Sequence, residues 1–507
     1  MKKLTFILIL FSIFAVTGCI FFEMEDENDD PITKNFWAQN AVTKTFYSLT
    51  ADKLAENSIC EVWVEKGSGV TKATANNIAN EYINNIYGKM INNFGWEDNI
   101  PLNNGGYKRM NTMQYAHALA TGSISGAKLT ILLLDIKDDY RPGVNESYVG
   151  GYFWPYDLFS PASVPQEYKS NSLDMIYIDT NPGFSKDIKE VYTTLAHEMQ
   201  HLMNFTSSAQ YRVNDKTVYS MDIWIDEGLS SAAEQIYSGE YLTHRIEWFI
   251  QNGAKDSKGN TLPGKIDVGN NFYVWGNRVT DSEPYPALDD YATVYLFFQW
   301  IRLQSGNDIY KEIIKSPYPI YDQRAVINAF NAKKPSGSVS YSNWESMLKD
   351  WLMANNMNLS SGRNGYMNDP TLKTIKAPYA PAGTTTLGLF PGEGVYSYAD
   401  TAPSVSNTGN IKYVYPVSTK TLLTYNSNPV NYVGKGISID TLAENGTTTG
   451  ITLPAASIVI SGKFDIKLGS SKISGPFRIG MGDVIRMNNP GTFNFDGLKT
   501  EKVFIDE

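Results

Sequence analysis

Residues 196–202 read Ala196-His197-Glu198-Met199-Gln200-His201-Leu202. Val191, Leu195, Met199 and Leu202 recur at helical spacing around this stretch, so a helix runs through it. Residues four apart on a helix stand on one face, one turn from each other. His197 and His201 can therefore aim two imidazole nitrogens at one cation. Zinc accepts such nitrogens at roughly 2.0–2.1 Å in a tetrahedral site. Glu198 follows the first imidazole, near the cation but not on it, where it can take a proton from an attacking water. The chain has only four histidines, and two of them lie inside this five-residue pattern. The competing reading is a surface helix with a chance His-Glu pair, which predicts nothing further downstream.

More does follow. A catalytic zinc takes three protein ligands and leaves one position for water. No histidine comes soon after His201, since the chain continues Leu202-Met203-Asn204-Phe205. Then stands Trp224-Ile225-Asp226-Glu227-Gly228-Leu229, with Glu227 placed 26 positions after His201. A second helix packed on the first would present Glu227 to the cation. Asp226 and Asp222 stand as alternatives for the third ligand. Glu234, seven positions after Glu227, reads either as a carboxylate that orients a ligand histidine or as a solvated surface residue.

Outward from this centre the chain divides into zones. Upstream, Cys60-Glu61-Val62-Trp63-Val64, Leu129–Ile136 and Met175–Asp179 read as strands, the second apolar enough to be covered on both faces. Val149–Phe153 reads as a glycine-containing strand at a sheet edge. Ile78, Tyr82, Ile83, Ile86, Tyr87, Met90 and Ile91 predict an amphipathic helix over residues 72–92. Downstream of the motif, helices are expected over 223–237, 291–303 and 344–353. After Gly362 the chain turns rich in Gly, Ser, Thr, Val and Pro, with short alternating runs, and all ten tryptophans lie at or before Trp351. That pattern predicts an all-β, sandwich-like unit over 375–507. Asp135, Asp138 and Asp139 follow a strand; a solvated turn is the favoured reading and a structural calcium ion the less favoured one.

The combination of Leu195–Phe205 with Trp224–Leu229 resembles the hyicolysin-like secreted bacterial metallopeptidases, within the gluzincin clan of His-Glu-x-x-His…Glu enzymes. The resemblance covers roughly residues 35–360 and is sharpest over 191–237. It departs from the clan in having Asp226 where Asn is usual and in the longer gap before Glu227. It implies that His197, His201 and Glu227 hold one zinc ion and that Glu198 is general base and acid. The clan uses a Tyr or His to stabilise the oxyanion; Tyr291 lies about where that residue is placed, with Tyr295 the alternative. It also implies an α+β fold: an N-terminal mixed sheet subdomain (35–190) and a helical subdomain (191–362), with the zinc helix between them. The large zinc aminopeptidases of the clan carry a Gly-x-Met-Glu-Asn segment, which this chain lacks. Cleavage of internal peptide bonds is the expected reaction.

The N-terminus points to export. Lys2 and Lys3 precede an apolar run from Leu4 to Ala15, and Val16-Thr17-Gly18-Cys19 resembles the lipobox of bacterial lipoproteins. Residues 1–19 are thus expected to be a lipoprotein signal peptide, with Cys19 carrying the lipid. Residues 20–34, including the run Glu23–Pro31, read as an acidic tether. The expected place is the cell envelope, on its periplasmic face or at the cell surface. Cys60 is then the one remaining thiol, read as a small buried hydrophobe, and no disulfide framework can form. A net charge of −10 repels phosphate backbones, which argues against nucleic acid as a partner. The rival class is a binding or adhesive lipoprotein that keeps the fold without turnover; loss of a ligand or the base would favour it, and all four residues are present.

Overall fold

Leu129–Leu134 is buried along its whole length and lies at the centre of a mixed six-stranded sheet. The computed structural model describes residues 31–95, 107–109, 128–144, 147–158, 161, 168–208, 210–212, 217–219, 221–250, 286–316, 322–377, 389, 392–428 and strand segments between 437 and 485. The sheet order is Thr33–Gln39, Phe46–Glu56, Cys60–Glu65, Leu129–Leu134, Met175–Asp179, Gly151–Phe153. The first three strands form an antiparallel meander, Cys60–Glu65 through Met175–Asp179 run parallel, and Gly151–Phe153 closes the order as an antiparallel edge.

Successive side chains on a strand point to opposite faces, and the two faces here feed two cores. Val62, Val64, Ile131, Leu133, Ile176 and Ile178 join the large core beneath the helices. Trp63, Leu132, Leu134 and Tyr177 join a smaller aromatic core with Phe36, Tyr152, Trp154 and Tyr156. The expected helix near 72–92 is Lys72–Glu81, a π turn at Tyr82–Ile86 and Tyr87–Phe94, capped by Thr71, whose hydroxyl accepts from the amide of Thr74. Its face of Ile78, Tyr82, Ile86 and Met90 is buried in the large core. Thr33 and Lys34, expected in the tether, already belong to the first strand. The signal segment and Cys19 lie outside the described residues.

The helical half begins with the motif helix Ile188–Ser208 and continues with the ligand helix Ile223–Ser238. Thr243–Ile250, Pro286–Ser305, Asp308–Ile314, Gln323–Lys333 and Trp344–Met357 follow. Trp224 fixes the ligand helix by packing against Phe297, Phe298 and Trp344, with ring centroids 5.5–6.1 Å away. A three-stranded antiparallel sheet of Gly394–Tyr398, Thr421–Asn426 and Ile411–Val414 sits on Trp344–Met357. Tyr396 donates to the carbonyl of Leu352 at 2.7 Å, and its ring joins the large core with Leu423 and Tyr425. Between 437 and 485 the described segments of the expected β unit are strands, among them the hairpins Ile437–Leu442 with Thr448–Thr452 and Gly462–Leu468 with Ser471–Ile479. Among the described residues no helix is long and apolar enough to cross a membrane.

Gly228 follows Glu227 on the face that meets Pro286–Ser305. A Cβ there would lie 2.4 Å from the Phe298 ring, well inside contact distance. Gly228→Ala should therefore push the ligand helix off its seat and destabilise the fold by about 1–3 kcal/mol. Thermal unfolding of the full chain checks this, and an unchanged midpoint would mean the two helices are not in close contact.

Candidate metal centre

His197 and His201 point the same way from the motif helix, with ring centroids 4.7 Å apart and planes at 74°. Their Nε2 atoms are 3.0 Å from each other, and each is 3.6 Å from Oε2 of Glu227. All three side chains are buried, and their donor atoms lie within 4.8 Å of one another. Ligands at zinc distances in a tetrahedron stand about 3.3 Å apart, which is close to the spacing these atoms have. Neither oxygen of Glu227 makes a well-formed hydrogen bond among the described residues. A buried carboxylate without such partners is costly unless a cation compensates it.

Behind each imidazole stands a second carboxylate. Oε1 of Glu234 lies 2.6 Å from Nδ1 of His197, and Glu234 is buried. Glu234 is thus the orienting residue, not a solvated one. Oδ2 of Asp226 lies 3.0 Å from Nδ1 of His201, and the hydroxyl of Ser230 is 3.2 Å from the same nitrogen. Asn204 donates to Oδ1 of Asp226 at 2.6 Å. Asp226 therefore addresses the far side of His201 and is not the third donor. Asp222 precedes the ligand helix, where Asp322 and Trp224 are its close neighbours. A carboxylate that accepts from Nδ1–H fixes the tautomer of its ring and leaves Nε2 free for a cation.

Negative charge is in excess here. Burial alone would lower the pKa of His201, but Asp226, Glu227 and Glu198 reverse this and hold it at about 10. Without a bound cation a proton does the neutralising. Glu198 is buried beside the same pair, close enough that its charge acts on both His201 and Tyr291. Burial, then the charge of Glu227, push the Tyr291 phenol well above its ordinary pKa, so it remains a proton donor. The guanidinium of Arg245 lies over the Tyr291 ring, 4.5 Å from its centroid. Tyr295 points elsewhere, and its hydroxyl accepts from the amide of Leu242 at 2.9 Å. The Asp138 carboxylate accepts from the amides of Tyr140 and Val149, closing a turn beside Asp135 and Asp139.

Ser230, Asn204 and Arg245 had escaped the sequence reading. Arg245 left a usable trace, because Leu242, Arg245, Ile246 and Phe249 share the helical spacing of an apolar stripe. A charge inside such a stripe is one the fold must bury.

Two imidazoles, one carboxylate and an adjacent glutamate define the kind of centre found in metal-dependent hydrolases. No protein-family model matches the chain. Over 197 residues it is 36% identical to the neutral metalloprotease ShpI of Staphylococcus hyicus, and the match spans 38% of this chain and 39% of that protein. The match thus covers about two fifths of that protein's length, and the His-His-Glu cluster of this chain fits a metal ion.

A cation can bind only when the His201 proton leaves. Zinc affinity should therefore rise with pH from about 6 to about 8, below the His201 value of about 10, with a proton released on binding. Calorimetry in buffers of different ionisation heat measures that proton. Glu234→Gln should weaken zinc binding by about 10–100-fold; unchanged affinity would show that Glu234 does not orient His197.

Proposed function

We propose that this chain is a zinc-dependent endopeptidase of gluzincin type, akin to the hyicolysin-like enzymes, acting from the cell envelope through a lipid on Cys19. The observation that carries the reading is the convergence of His197, His201 and Glu227 beside Glu198. Similarity to a neutral metalloprotease supports it. Zinc, when bound, would polarise the scissile carbonyl and acidify the attacking water. Glu198 takes the proton from that water and returns it to the leaving amine. Tyr291, kept protonated by burial and its acidic neighbours, donates to the oxygen that becomes negative in the tetrahedral intermediate. Glu234 and Asp226 hold the two imidazoles in the ligating tautomer.

The substrate would lie as an added strand along Gly151–Phe153. This edge faces the motif helix closely: a Cβ at Gly151 would stand 2.8 Å from the Thr194 side chain. A peptide there would run past the imidazoles of His197 and His201, about one and two turns further along the helix. The lack of an amine-gripping Gly-x-Met-Glu-Asn segment favours internal bonds over N-terminal residues.

The full chain incubated with an unfolded protein should cleave it, and both chelation and Glu198→Gln should abolish cleavage. Tyr291→Phe should lower kcat by about 10²–10³-fold with little change in KM. Turnover that survives both chelator and Glu198→Gln would remove the mechanism. Cys19→Ser should shift the protein from the membrane to the soluble fraction of cells that express it. Retention at the membrane would dismiss the lipid anchor.

A further inference from the structure

Arg245 is 1% exposed, on a short helix that carries none of the cation donors. Burying a guanidinium costs several kcal/mol unless the surroundings compensate it, and here they do so sparsely. Nε, Nη1 and Nη2 have no hydrogen-bond partner among the described residues. Two contacts remain. Nη2 lies 3.6 Å from Oε1 of Glu234, the same oxygen that is 2.6 Å from Nδ1 of His197. The guanidinium also lies over the ring of Tyr291. For core stability alone an apolar side chain of similar volume would serve as well or better. What the charge adds is a link between the carboxylate behind one cation donor and the phenol of Tyr291.

The surrounding scaffold points the same way. Tyr291 and Tyr295 stand four apart on Pro286–Ser305 and so share a face. Tyr295 takes the amide of Leu242, just before the Arg245 helix, and Tyr291 takes the guanidinium itself. One helix face thus sets both the position of the segment bearing Arg245 and the position of its charge.

We propose that Arg245 is a positioning residue: it holds Glu234 behind His197 by its charge and Tyr291 in place by its flat face. The proposal rests on the roles given above to His197 and Tyr291. Zinc affinity reads the first link, and the split between kcat and KM reads the second. In the full chain, Arg245→Met should weaken zinc binding, followed by chelator competition, by about tenfold or more. That loss should vanish in a Glu234→Gln background. The same variant should lower kcat about tenfold or more with KM nearly unchanged, and this loss should shrink in a Tyr291→Phe background. Arg245→Lys keeps the charge but not the planar face, so it should recover zinc affinity and leave kcat low.

Losses that simply add in both double variants would overturn the proposal and leave Arg245 as a packing residue. If Arg245→Met does not fold, Arg245→Lys decides, because wild-type kcat in that variant would refute the stacking role. If the wild-type chain binds zinc yet cleaves nothing, the peptidase reading fails, and the zinc cycle with Glu234 still tests the link to His197.

Discussion

The structure depends on the packing of Ile188–Ser208 against Ile223–Ser238, which drives an unbalanced set of charges out of water. Glu198, Glu227, Glu234 and Asp226 gather around two imidazoles with only Arg245 as a fixed cation among the described residues nearby. Such a cluster would be ruinous in a purely structural core. It is tolerable where a divalent ion completes the balance. The surrounding fold serves to hold the acids close despite their repulsion. The aromatic seat of Trp224 and the close approach of Gly228 to Phe298 keep the second helix from retreating.

The backing of the two imidazoles is not symmetrical. His197 leans on Glu234, which is in turn addressed by a guanidinium. His201 leans on Asp226, supported by the neutral Asn204 and Ser230. The first arrangement ties its ring to the neighbouring helix and to Tyr291; the second is contained within the motif and ligand helices. The two donors are thus coupled to different parts of the fold.

Much of this was legible in the sequence because the signals are local. The four-residue spacing of His197 and His201 places both on one face in any helix, and the short apolar runs of Leu129–Leu134 and Met175–Asp179 mark strands covered on both sides. Phe46–Glu56 was not legible: Ala51-Asp52-Lys53-Leu54-Ala55-Glu56 is made largely of residues that favour helices, and pairing with strands on both sides overrides that preference. The division of labour between Glu227 and Asp226, or between Tyr291 and Tyr295, came from the family resemblance and not from spacing. Adjacent residues, or residues one turn apart, differ only in where the helix is rotated and how far it slides. Those quantities are set by Phe298, Trp344 and Leu242, which lie far away in sequence. Arg245 belongs to the same class, since its meaning lies in two contacts that no pattern of spacing encodes.

All three donors sit on helix faces that are clamped by side chains of those helices and of the aromatic core, not by the chain that joins them. Asn204 and Trp224, inside the 26-position gap between His201 and Glu227, do their work from the two helices, whereas the stretch that joins Ile188–Ser208 to Ile223–Ser238 carries no donor. Insertions and deletions can accumulate there over evolutionary time without moving a donor atom. A search pattern that fixes that distance would overlook proteins built around the same centre.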